Sequence, residues 1–334
     1  MTAASKPSRW ICLILTVLTT LALVGCSDEP EYLMLEEKLV IAADTGEPAA
    51  LVWLAQDKGF FADFGLDVEV TPHSAGKLAV DALLDNRAQI ATSSEFVVVK
   101  RSFDNPQLRI LGHIASAENT HFTARKSAGI TGPTDVKGKR LGVTVGSTGE
   151  YFLGRFLEAQ GLSIEDVEIV NLAPPKIVEQ MLAAEIDASI TWHPNVYRIE
   201  QGLGDDALSF PAQQDQPFYF VLTTTADYLK SHEQHLDRYF RALLKAQEWI
   251  VQNPAELKAY ITQKMDLDPA YADLSVEMFH WRVDFSQALL VAMDAEKRWA
   301  MEIGVVASEN PPDFTDQIAP DAVEKVVGRV SVIH

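Results

Sequence analysis

The sequence predicts a two-lobed α/β fold in which two mainly parallel sheets are joined by a two-strand hinge. Short apolar strands alternate with amphipathic helices from Lys38 onward, and the same alternation begins again at Arg140. From Asp227 onward the apolar residues recur at helical spacing, so these helices must cover a sheet. Strands that alternate with helices usually pair in parallel, and ligands of such sheets bind at the carboxyl ends of the strands.

The first α/β unit begins with an apolar strand that stops at a polar turn. This strand covers residues 38–43, and Pro48 suits the first turn of the helix that follows. The next predicted elements are a strand at 66–70, a helix at 75–84, a short strand at 89–91, a helix opening at 93–95 and a strand at 107–114. Two strands of this unit therefore end in small polar residues, at 44–46 and at 92–95.

The second α/β unit follows a loop that contains Gly129, Gly132 and Pro133. Its predicted elements are a strand at 141–145, a helix to 160, a strand at 167–170, a helix at 174–184, a strand at 186–191, a helix from 192 and a β-rich run at 217–223. Helical stripes follow at 236–251, 254–264, 274–283 and 285–303. If these helices return to the first unit, connections near 121–125 and 219–225 form the hinge. The predicted lobes are then 38–122 with 224–334, and 123–223.

The N-terminus has the pattern of a bacterial lipoprotein signal peptide. Lys6 and Arg9 precede an almost uncharged apolar run at 10–25, which is shorter than the roughly 20 residues that a membrane span needs. Cleavage after Gly25 would leave Cys26 as a lipidated N-terminus. We therefore predict a signal peptide at 1–25, a lipid anchor at Cys26 and a polar tether at 26–37, and so an extracytoplasmic, membrane-anchored protein. The alternatives are a signal sequence that contains a cysteine by chance and an uncleaved anchor.

Charge and cysteine content exclude several classes of function. Loss of Lys6 and Arg9 with the leader leaves 26 basic residues against 47 acidic ones, a net charge of −21. Nucleic acid binding needs a basic face, so it is excluded. The other cysteine, Cys12, lies in the leader, so the mature chain would have no disulfide and no thiol for catalysis. An anionic ligand would have to be held by local groups, whereas a zwitterion or an amine-bearing ligand would be repelled less.

The loop after the strand at 141–145 is a candidate ligand site. Gly146, Ser147 and Thr148 connect this strand to an amphipathic helix, so hydroxyls and backbone N–H groups would lie at a strand end. Such a helix N-terminus suits an anion or another strong acceptor. The plainer alternative is that Ser147 and Thr148 only cap the helix.

The polar turns of the first unit carry acidic side chains. Asp44 and Glu95 lie at strand ends, which favours them as ligand contacts for an amine or an amino-heterocycle. Glu47 and Glu150 have a simpler explanation as acidic residues at helix N-termini. These loops contain no arginine, so an arginine that binds an anion would have to come from elsewhere, such as Arg198 or Arg282.

An ordered series of motifs along the mature chain resembles the extracytoplasmic solute-binding proteins of the sulfonate/nitrate/taurine family, which has pyrimidine-precursor-binding relatives. The motifs are AQDKGFF at 55–61 with GLDV at 65–68, DVKGKR at 135–140 with Gly142-Val143 and Gly146-Ser147-Thr148, VNLAP at 170–174, EIDA at 185–188, WHP at 192–194, and DFSQAL at 284–289 with Trp299. No one of these motifs is decisive, but their order is specific.

The resemblance implies a two-lobed binding protein of type II-like periplasmic-binding-protein fold that delivers a small ligand to an ABC permease. Such a protein would act as a monomer without a cofactor, a metal or catalytic residues. The implied ligand contacts are Asp44, Thr45, Gly46, Ser93, Ser94, Glu95, Gly146, Ser147, Thr148 and Trp192. Trp192 either contacts an organic ligand or fills the core after its strand.

Two other functions remain open from the sequence. A ligand-sensing receptor that partners a membrane signalling protein would need the same two-lobed fold. A pyrimidine-precursor biosynthetic enzyme is disfavoured, because the chain lacks a cysteine-rich segment and its histidines show no metal-ligand clustering. His232 and His235 share a helix face, and we interpret that face as solvated.

Overall fold

The computed structural model describes residues 1–2 and 32–328. The predicted cleavage site, Cys26 and nearly all of the predicted leader lie outside this part of the chain. Within the described residues, no helix combines the length and the apolar character needed to cross a membrane.

Eleven strands in the described part of the chain form two sheets. In chain order they are β1 (Leu39–Asp44), β2 (Val68–His73), β3 (Ile90–Ser94), β4 (Leu108–Ala117), β5 (Thr120–Arg125), β6 (Arg140–Val143), β7 (Glu168–Asn171), β8 (Ala188–Trp192), β9 (Ala207–Pro211), β10 (Phe218–Thr225) and β11 (His280–Asp284). The first sheet has the order β11-β4-β10-β3-β1-β2, and the second has the order β7-β6-β8-β5-β9. The predicted two-sheet α/β architecture is confirmed.

Both sheets are mixed, so the expectation of mainly parallel sheets is wrong. Strand β1 pairs in parallel with β2 and β3, and β6 pairs in parallel with β7 and β8. The antiparallel pairs are those of β10 with β3 and β4, of β11 with β4, and of β5 with β8 and β9. The helical crossovers produce the parallel pairs. The antiparallel pairs involve β5, where the chain enters the second sheet, and β10, where it returns to the first. The edge strands β9 and β11 also pair antiparallel to their neighbours.

The helices cover both sheets. In chain order they are α1 (Ala50–Asp57), α2 (Phe60–Asp63), α3 (Gly76–Leu84), α4 (Glu95–Ser102), α5 (Thr148–Ala159), α6 (Pro174–Leu182), α7 (Asn195–Leu203), α8 (Ala226–Ser231), α9 (Glu233–Gln252), α10 (Pro254–Lys264), α11 (Pro269–Met278), α12 (Gln287–Glu302) and α13 (Pro320–Val327). As predicted, C-terminal helices return to the first sheet: α9 packs against α1 and β11, and α13 packs against β4. The stripe at 274–283 is not one helix, because it contains the end of α11 and the strand β11.

Two segments connect the sheets, at 118–119 and at 212–217. The strands β5 and β10, which the sequence predicted as connections, lie within the second and the first sheet. The buried Gln213 joins the two segments, because its Oε1 accepts hydrogen bonds from the N–H groups of Asn119 and Thr120, both at 2.7 Å. Its Nε2 donates to the carbonyl oxygens of Ala117, at 3.1 Å, and Gln216, at 2.9 Å. One side chain therefore fixes the backbone of both connections.

The helix α12 packs against α4 of the first α/β unit and α5 of the second. Its Trp299 lies over Gly154 on α5, where an added Cβ would lie 2.2 Å from the indole ring. The same indole contacts Tyr151 edge-on with ring centroids 5.3 Å apart. Gly154 therefore allows α12 to approach α5 closely.

Candidate ligand-binding pocket

A pocket lies where strand ends of the two sheets come together, with a cavity volume of about 330 Å³. The first sheet contributes residues that follow β1 and β3, and the second contributes residues that follow β6 and β8. This volume lies at the lower end of the range for small-molecule sites. The convergence of strand ends is what an α/β sheet offers to a ligand.

Eight of the ten predicted ligand contacts line this pocket. They are Asp44, Thr45, Gly46, Ser94, Gly146, Ser147, Thr148 and Trp192. Ser93 and Glu95 are fully buried outside the lining. Ser93 donates a hydrogen bond to the carbonyl oxygen of Ser94, at 3.1 Å, and Glu95 Oε1 accepts one from the N–H of Tyr219, at 2.9 Å. Whether any of the ten contacts a ligand stays a prediction, but the geometry removes Glu95 as a carboxylate facing the pocket.

Asp44 is held by the turn that it begins. Its Oδ1 accepts a hydrogen bond from the N–H of Gly46, at 2.7 Å, and its own N–H donates to Thr92 Oγ1, at 2.9 Å. Trp53 Nε1 donates to the Asp44 carbonyl oxygen, at 2.7 Å. Burial raises the pKa of the Asp44 carboxyl group to about 6, although the Gly46 and Gly76 N–H groups oppose this shift. Asp44 is thus fixed in place and mainly ionised at neutral pH.

Glu47, which the sequence assigned only to a helix N-terminus, is a second acid of the pocket. It begins a short 3-10 helix, Glu47–Ala49, and it is buried. Its Oε1 accepts a hydrogen bond from the Tyr271 hydroxyl, at 2.6 Å, and its carbonyl oxygen accepts one from Trp281 Nε1, at 2.8 Å. Burial raises the pKa of the Glu47 carboxyl group, and the tyrosine hydrogen bond opposes that rise. Glu47 therefore takes the place that the sequence analysis gave to Glu95.

Two cationic side chains also line the pocket, Lys77 and Arg198. The positive charge of Arg198 is among the influences that lower the pKa of the Glu47 carboxyl group. Arg282, the other arginine considered from the sequence, is exposed and pairs with Asp284, at 3.2 Å. Sequence reasoning missed Lys77, although its position in the first turn of the helix after β2 is a strand-end position. The pocket lining thus contains two acidic side chains, Asp44 and Glu47, and two basic side chains, Lys77 and Arg198.

The Gly146 loop satisfies most of its own backbone N–H groups. The N–H of Gly146 donates to Glu150 Oε2, at 2.9 Å, and the N–H of Gly149 donates to Ser147 Oγ, at 3.1 Å. Ser147 is therefore the N-cap of α5, as the plainer alternative held, although it also lines the pocket. Thr148 differs, since its buried Oγ1 has no hydrogen-bond partner among the described residues. In place of the expected row of free amides, the loop thus has one unpartnered hydroxyl, which is buried beside the pocket.

An ion pair holds this loop near the first α/β unit. Lys100 on α4 pairs with Glu150 on α5, with Nζ and Oε2 3.0 Å apart. Both side chains are largely buried, and Glu150 Oε2 is the atom that accepts from Gly146. Glu150 therefore positions the loop instead of facing the ligand, and Gly146 can adopt its φ of 86° because it has no side chain.

Aromatic and apolar side chains complete the walls. Trp192 is half-buried and lines the pocket, and its ring would be 3.6 Å from a Cβ added to Gly149. The neighbouring His193 stacks on Tyr271 with ring centroids 5.6 Å apart, and its buried Nδ1 has no partner within the described structure. Burial lowers the pKa of His193 to about 3, so its ring is neutral. Sequence reasoning noted His193 only within its motif.

The pocket can accommodate a small molecule that has both apolar and polar parts. Phe218, Phe220, Val97 and Leu267 give it an apolar surface. Asp44 and Glu47 can accept hydrogen bonds from an amine or an amino group, whereas Arg198 and Lys77 can donate to an oxygen acceptor. A few polar groups in a mostly apolar cavity fix the orientation of a ligand.

Two mixed sheets with a pocket at their facing strand ends define the class: this chain has the periplasmic-binding-protein fold. Among solved structures, the alkanesulfonate-binding protein SsuA from Xanthomonas axonopodis pv. citri, bound to MOPS, has this fold with a TM-score of 0.73. The match has 15% sequence identity and covers 85% of this chain and 98% of that one. The model of the NMT1/THI5-like family matches residues 49–257, and the chain belongs to this family.

Relatives of known sequence include binding proteins for chemically different solutes. YtlA of Bacillus subtilis (strain 168), provisionally named a binding protein, is 23% identical over 88% of this chain and 90% of its own length. The taurine-binding periplasmic protein of Escherichia coli (strain K12) is 25% identical, over 63% of this chain and 65% of its length. The formylaminopyrimidine-binding protein of Halalkalibacterium halodurans is 25% identical, over 61% of this chain and 63% of its own length. The desulfurization enzyme DSZB shares the fold at 15% identity, with a TM-score of 0.60 and coverage of 86% of this chain and 98% of that one.

Proposed function

We propose that this protein is an extracytoplasmic, lipid-anchored solute-binding protein that captures a small organic ligand and delivers it to an ABC importer. The observation that carries the proposal is a pocket built from strand ends of both sheets, with charged side chains of both signs in its lining. Membership of the NMT1/THI5-like family and relatives named as binding proteins support it. We also propose two lobes close to the predicted ranges, 38–122 with 224–334 and 123–223, with their boundaries moved to the connections at 118–119 and 212–217.

The ligand we propose carries an amine or an amino-heterocycle together with an acceptor group. Asp44 and Glu47 favour a cationic or amino part, and Arg198, Lys77 and Thr148 favour an acceptor such as a sulfonate or a ring oxygen. An inorganic anion such as nitrate fits less well, because the negative charge of two nearby carboxyl groups would repel it. Taurine-like zwitterions and amino-pyrimidines both satisfy this arrangement.

The wild-type protein should be stabilised by such ligands and not by nitrate. A thermal-shift screen against taurine, alkanesulfonates, nitrate, amino-pyrimidines and polyamines tests this, since a ligand that binds only the folded state raises the melting temperature. Stabilisation by nitrate or a bare alkanesulfonate, with no response to amine-bearing compounds, would contradict the proposed ligand class.

Replacing Asp44 by Asn should weaken binding of the amine-bearing ligand by about 10- to 100-fold, because a charged hydrogen bond in a buried site is lost. Titration calorimetry measures the change, and Asp205→Asn, an exposed site at the end of α7, is the matched control. The wild-type affinity should also fall as the pH drops below about 6, where Asp44 becomes protonated in the folded protein. Wild-type affinity in the Asp44→Asn variant would show that the Asp44 carboxylate does not bind the ligand.

Thr148→Val serves as a second variant for the same site, since it keeps the shape of the side chain and removes only the unpartnered hydroxyl. The variant should bind the ligand more weakly and melt at the wild-type temperature or above it, because a buried hydroxyl without a hydrogen-bond partner in the described structure is removed. Unchanged affinity would show that the Thr148 hydroxyl does not contact the ligand and that Thr148 serves only as the first residue of α5.

Lipid anchoring predicts that Cys26→Ser releases the protein from the membrane. The modified residue would be the sole cysteine of the mature chain, so the substitution removes the acceptor of the lipid. Fractionation of cells that express either form, with detection of the protein in membrane and soluble fractions, measures this. Cys12→Ser is the control, and it should leave the protein membrane-bound. Retention of Cys26→Ser in the membrane would mean that the leader acts as an uncleaved anchor.

A further inference from the structure

A group of three potential metal ligands lies outside the lining of the pocket. It consists of Glu37, His232 and His235, whose ligand atoms all lie within 4.8 Å of one another. Glu37 immediately precedes the first sheet, whereas the histidines flank the start of α9. The sequence analysis interpreted the two histidines as a solvated polar face. The structure corrects this, because His235 is buried and Glu37, distant in sequence, completes the cluster.

The hydrogen bonds around His232 leave its Nε2 in need of a cation or a proton. Ser231 Oγ donates its only proton to the carbonyl oxygen of Asp227, at 2.6 Å. The contact between Ser231 Oγ and His232 Nδ1, at 2.7 Å, must therefore be donated by Nδ1–H. In a neutral ring Nε2 then carries a lone pair, yet it lies 2.7 Å from Glu37 Oε2, another acceptor. Two acceptors this close need a proton or a cation to share. A zinc ion bound to both would move them slightly apart, because the ligand atoms of a tetrahedral zinc site lie roughly 3.3 Å from one another.

His235 is prepared in the same way. Its Nδ1 lies 2.8 Å from the Tyr228 hydroxyl, so Nδ1–H can donate there and leave Nε2 free as a ligand. The cationic Arg238 is nearby, but it donates to the carbonyl oxygens of Phe64, at 3.2 Å, and Gly65, at 3.3 Å.

Ring contacts hold the two imidazoles side by side, and a ring must rotate for both Nε2 lone pairs to point at one ion, because each lone pair lies in its own ring plane. The Tyr228 ring lies parallel to that of His232 at a centroid distance of 4.2 Å, with an angle of 8° between the planes. The rings of His232 and His235 stack at 5.2 Å with an angle of 18°. Tyr228 therefore orients both histidines, one by stacking and the other by a hydrogen bond. Such partners behind the ligands are typical of metal-binding histidines.

We propose that Glu37, His232 and His235 bind a zinc ion. Two imidazole nitrogens and one carboxylate oxygen are ligands that zinc prefers, and exposure of Glu37 leaves the fourth tetrahedral position to water. The ion would join the chain just before β1 to the junction of α8 and α9. Since Glu37 is the last residue of the predicted tether, zinc would add a second attachment of this segment to the fold, beside the hydrogen bond that the N–H of Leu35 donates to the Gly65 carbonyl oxygen, at 2.9 Å.

Titration calorimetry of the chelator-treated full-length protein with zinc chloride tests the proposal. We expect a binding event that Glu37→Gln and His232→Gln each weaken by at least tenfold. Tyr228→Phe should weaken it less, because it removes only the hydrogen bond to His235. His280→Gln, an exposed histidine on β11, is the control and should bind zinc like the wild type. Melting curves without zinc establish that each variant is folded, and the exposed Glu37 can be changed without disturbing the core.

Two results would overturn the zinc site. One is the absence of zinc binding by the wild-type protein. The other is binding that Glu37→Gln and His232→Gln leave unchanged, which would place zinc at other histidines. The ligand screen for the pocket is independent of these measurements, so failure of one proposal leaves the other intact.

Discussion

The Gln213→Met variant should lose roughly 3–5 kcal/mol of its free energy of unfolding, because three buried backbone groups and one partly buried group lose a hydrogen-bond partner at once. The amide group of Gln213 pairs with the N–H groups of Asn119 and Thr120 and with the carbonyl oxygens of Ala117 and Gln216. Methionine matches glutamine in length and flexibility but offers none of these hydrogen bonds. Urea unfolding followed by circular dichroism measures the difference.

Gln201→Met is the matched control, because Gln201 lies exposed on α7. It should change the free energy of unfolding by no more than about 0.5 kcal/mol. The pocket lies beside the connections that Gln213 holds, since Asn119 and Thr120 also line it. We therefore expect Gln213→Met to weaken ligand binding as well. Wild-type stability in this variant would show that solvent can satisfy the four groups.

The α/β architecture could be predicted because apolar periodicity reports which face of an element is buried. Periodicity says less about strand direction, so the mixed character of both sheets was missed. The sequence predicts β11 as part of a helix, because the alternating Trp281 and Val283 continue an apolar pattern that α11 begins. Strand β9 is short, and its residues are only partly buried, so it left little signal.

The site could be predicted only where the backbone alone determines it. Asp44 and Thr148 were found because they follow strands, and strand ends converge in this class of fold. Glu95 follows a strand too, but as the first residue of α4 it is fully buried and its side chain accepts from the backbone of β10. Glu47 and Arg198 depend on packing between α11, α7 and the turn after β1. No local pattern contains that packing, so tertiary structure was needed to identify them.

The same limit applies to the histidine cluster. A shared helix face at 232 and 235 is visible in the sequence, but the acid that completes the cluster lies almost 200 residues earlier. Because one histidine is buried and Ser231 donates its proton to the backbone, the two histidines indicate a candidate metal site instead of a solvated face. The chemistry depends on which atom carries each proton, and that follows from hydrogen-bond partners instead of residue types.

Replacing Glu296 by Gln should stabilise the protein relative to wild type by an amount that grows as the pH rises. Glu296 on α12 is fully buried, and neither of its carboxyl oxygens has a hydrogen-bond partner among the described residues. Burial raises the pKa of Glu296, and the nearby charge of Glu95 raises it further. Burial likewise raises the pKa of Glu95 from 4.5 to about 8. Both groups are therefore protonated in the folded protein at neutral pH.

The direction in which stability changes with pH follows from proton linkage. As the pH rises above about 4.5 the unfolded chain releases these protons while the folded protein retains them, so wild-type stability falls. Each retained proton costs about 1.4 kcal/mol per pH unit, until the folded group also ionises. Glutamine does not titrate, so the variant should match wild type near pH 4 to within about 1 kcal/mol and exceed it by roughly 1–4 kcal/mol at pH 8.

Unfolding measured in urea at several pH values between 4 and 8 tests this expectation. Glu302→Gln on the same helix is the control, because Glu302 is exposed and its substitution should give a small difference that does not grow with pH. Glu296→Met separates titration from polarity, since it removes the unpartnered oxygens as well and should stabilise the protein even at low pH. A stability difference between Glu296→Gln and wild type that stays constant from pH 4 to 8 would show that Glu296 titrates alike in the folded and unfolded states. The buried acids would then impose no cost where α12 packs against α4 and α5.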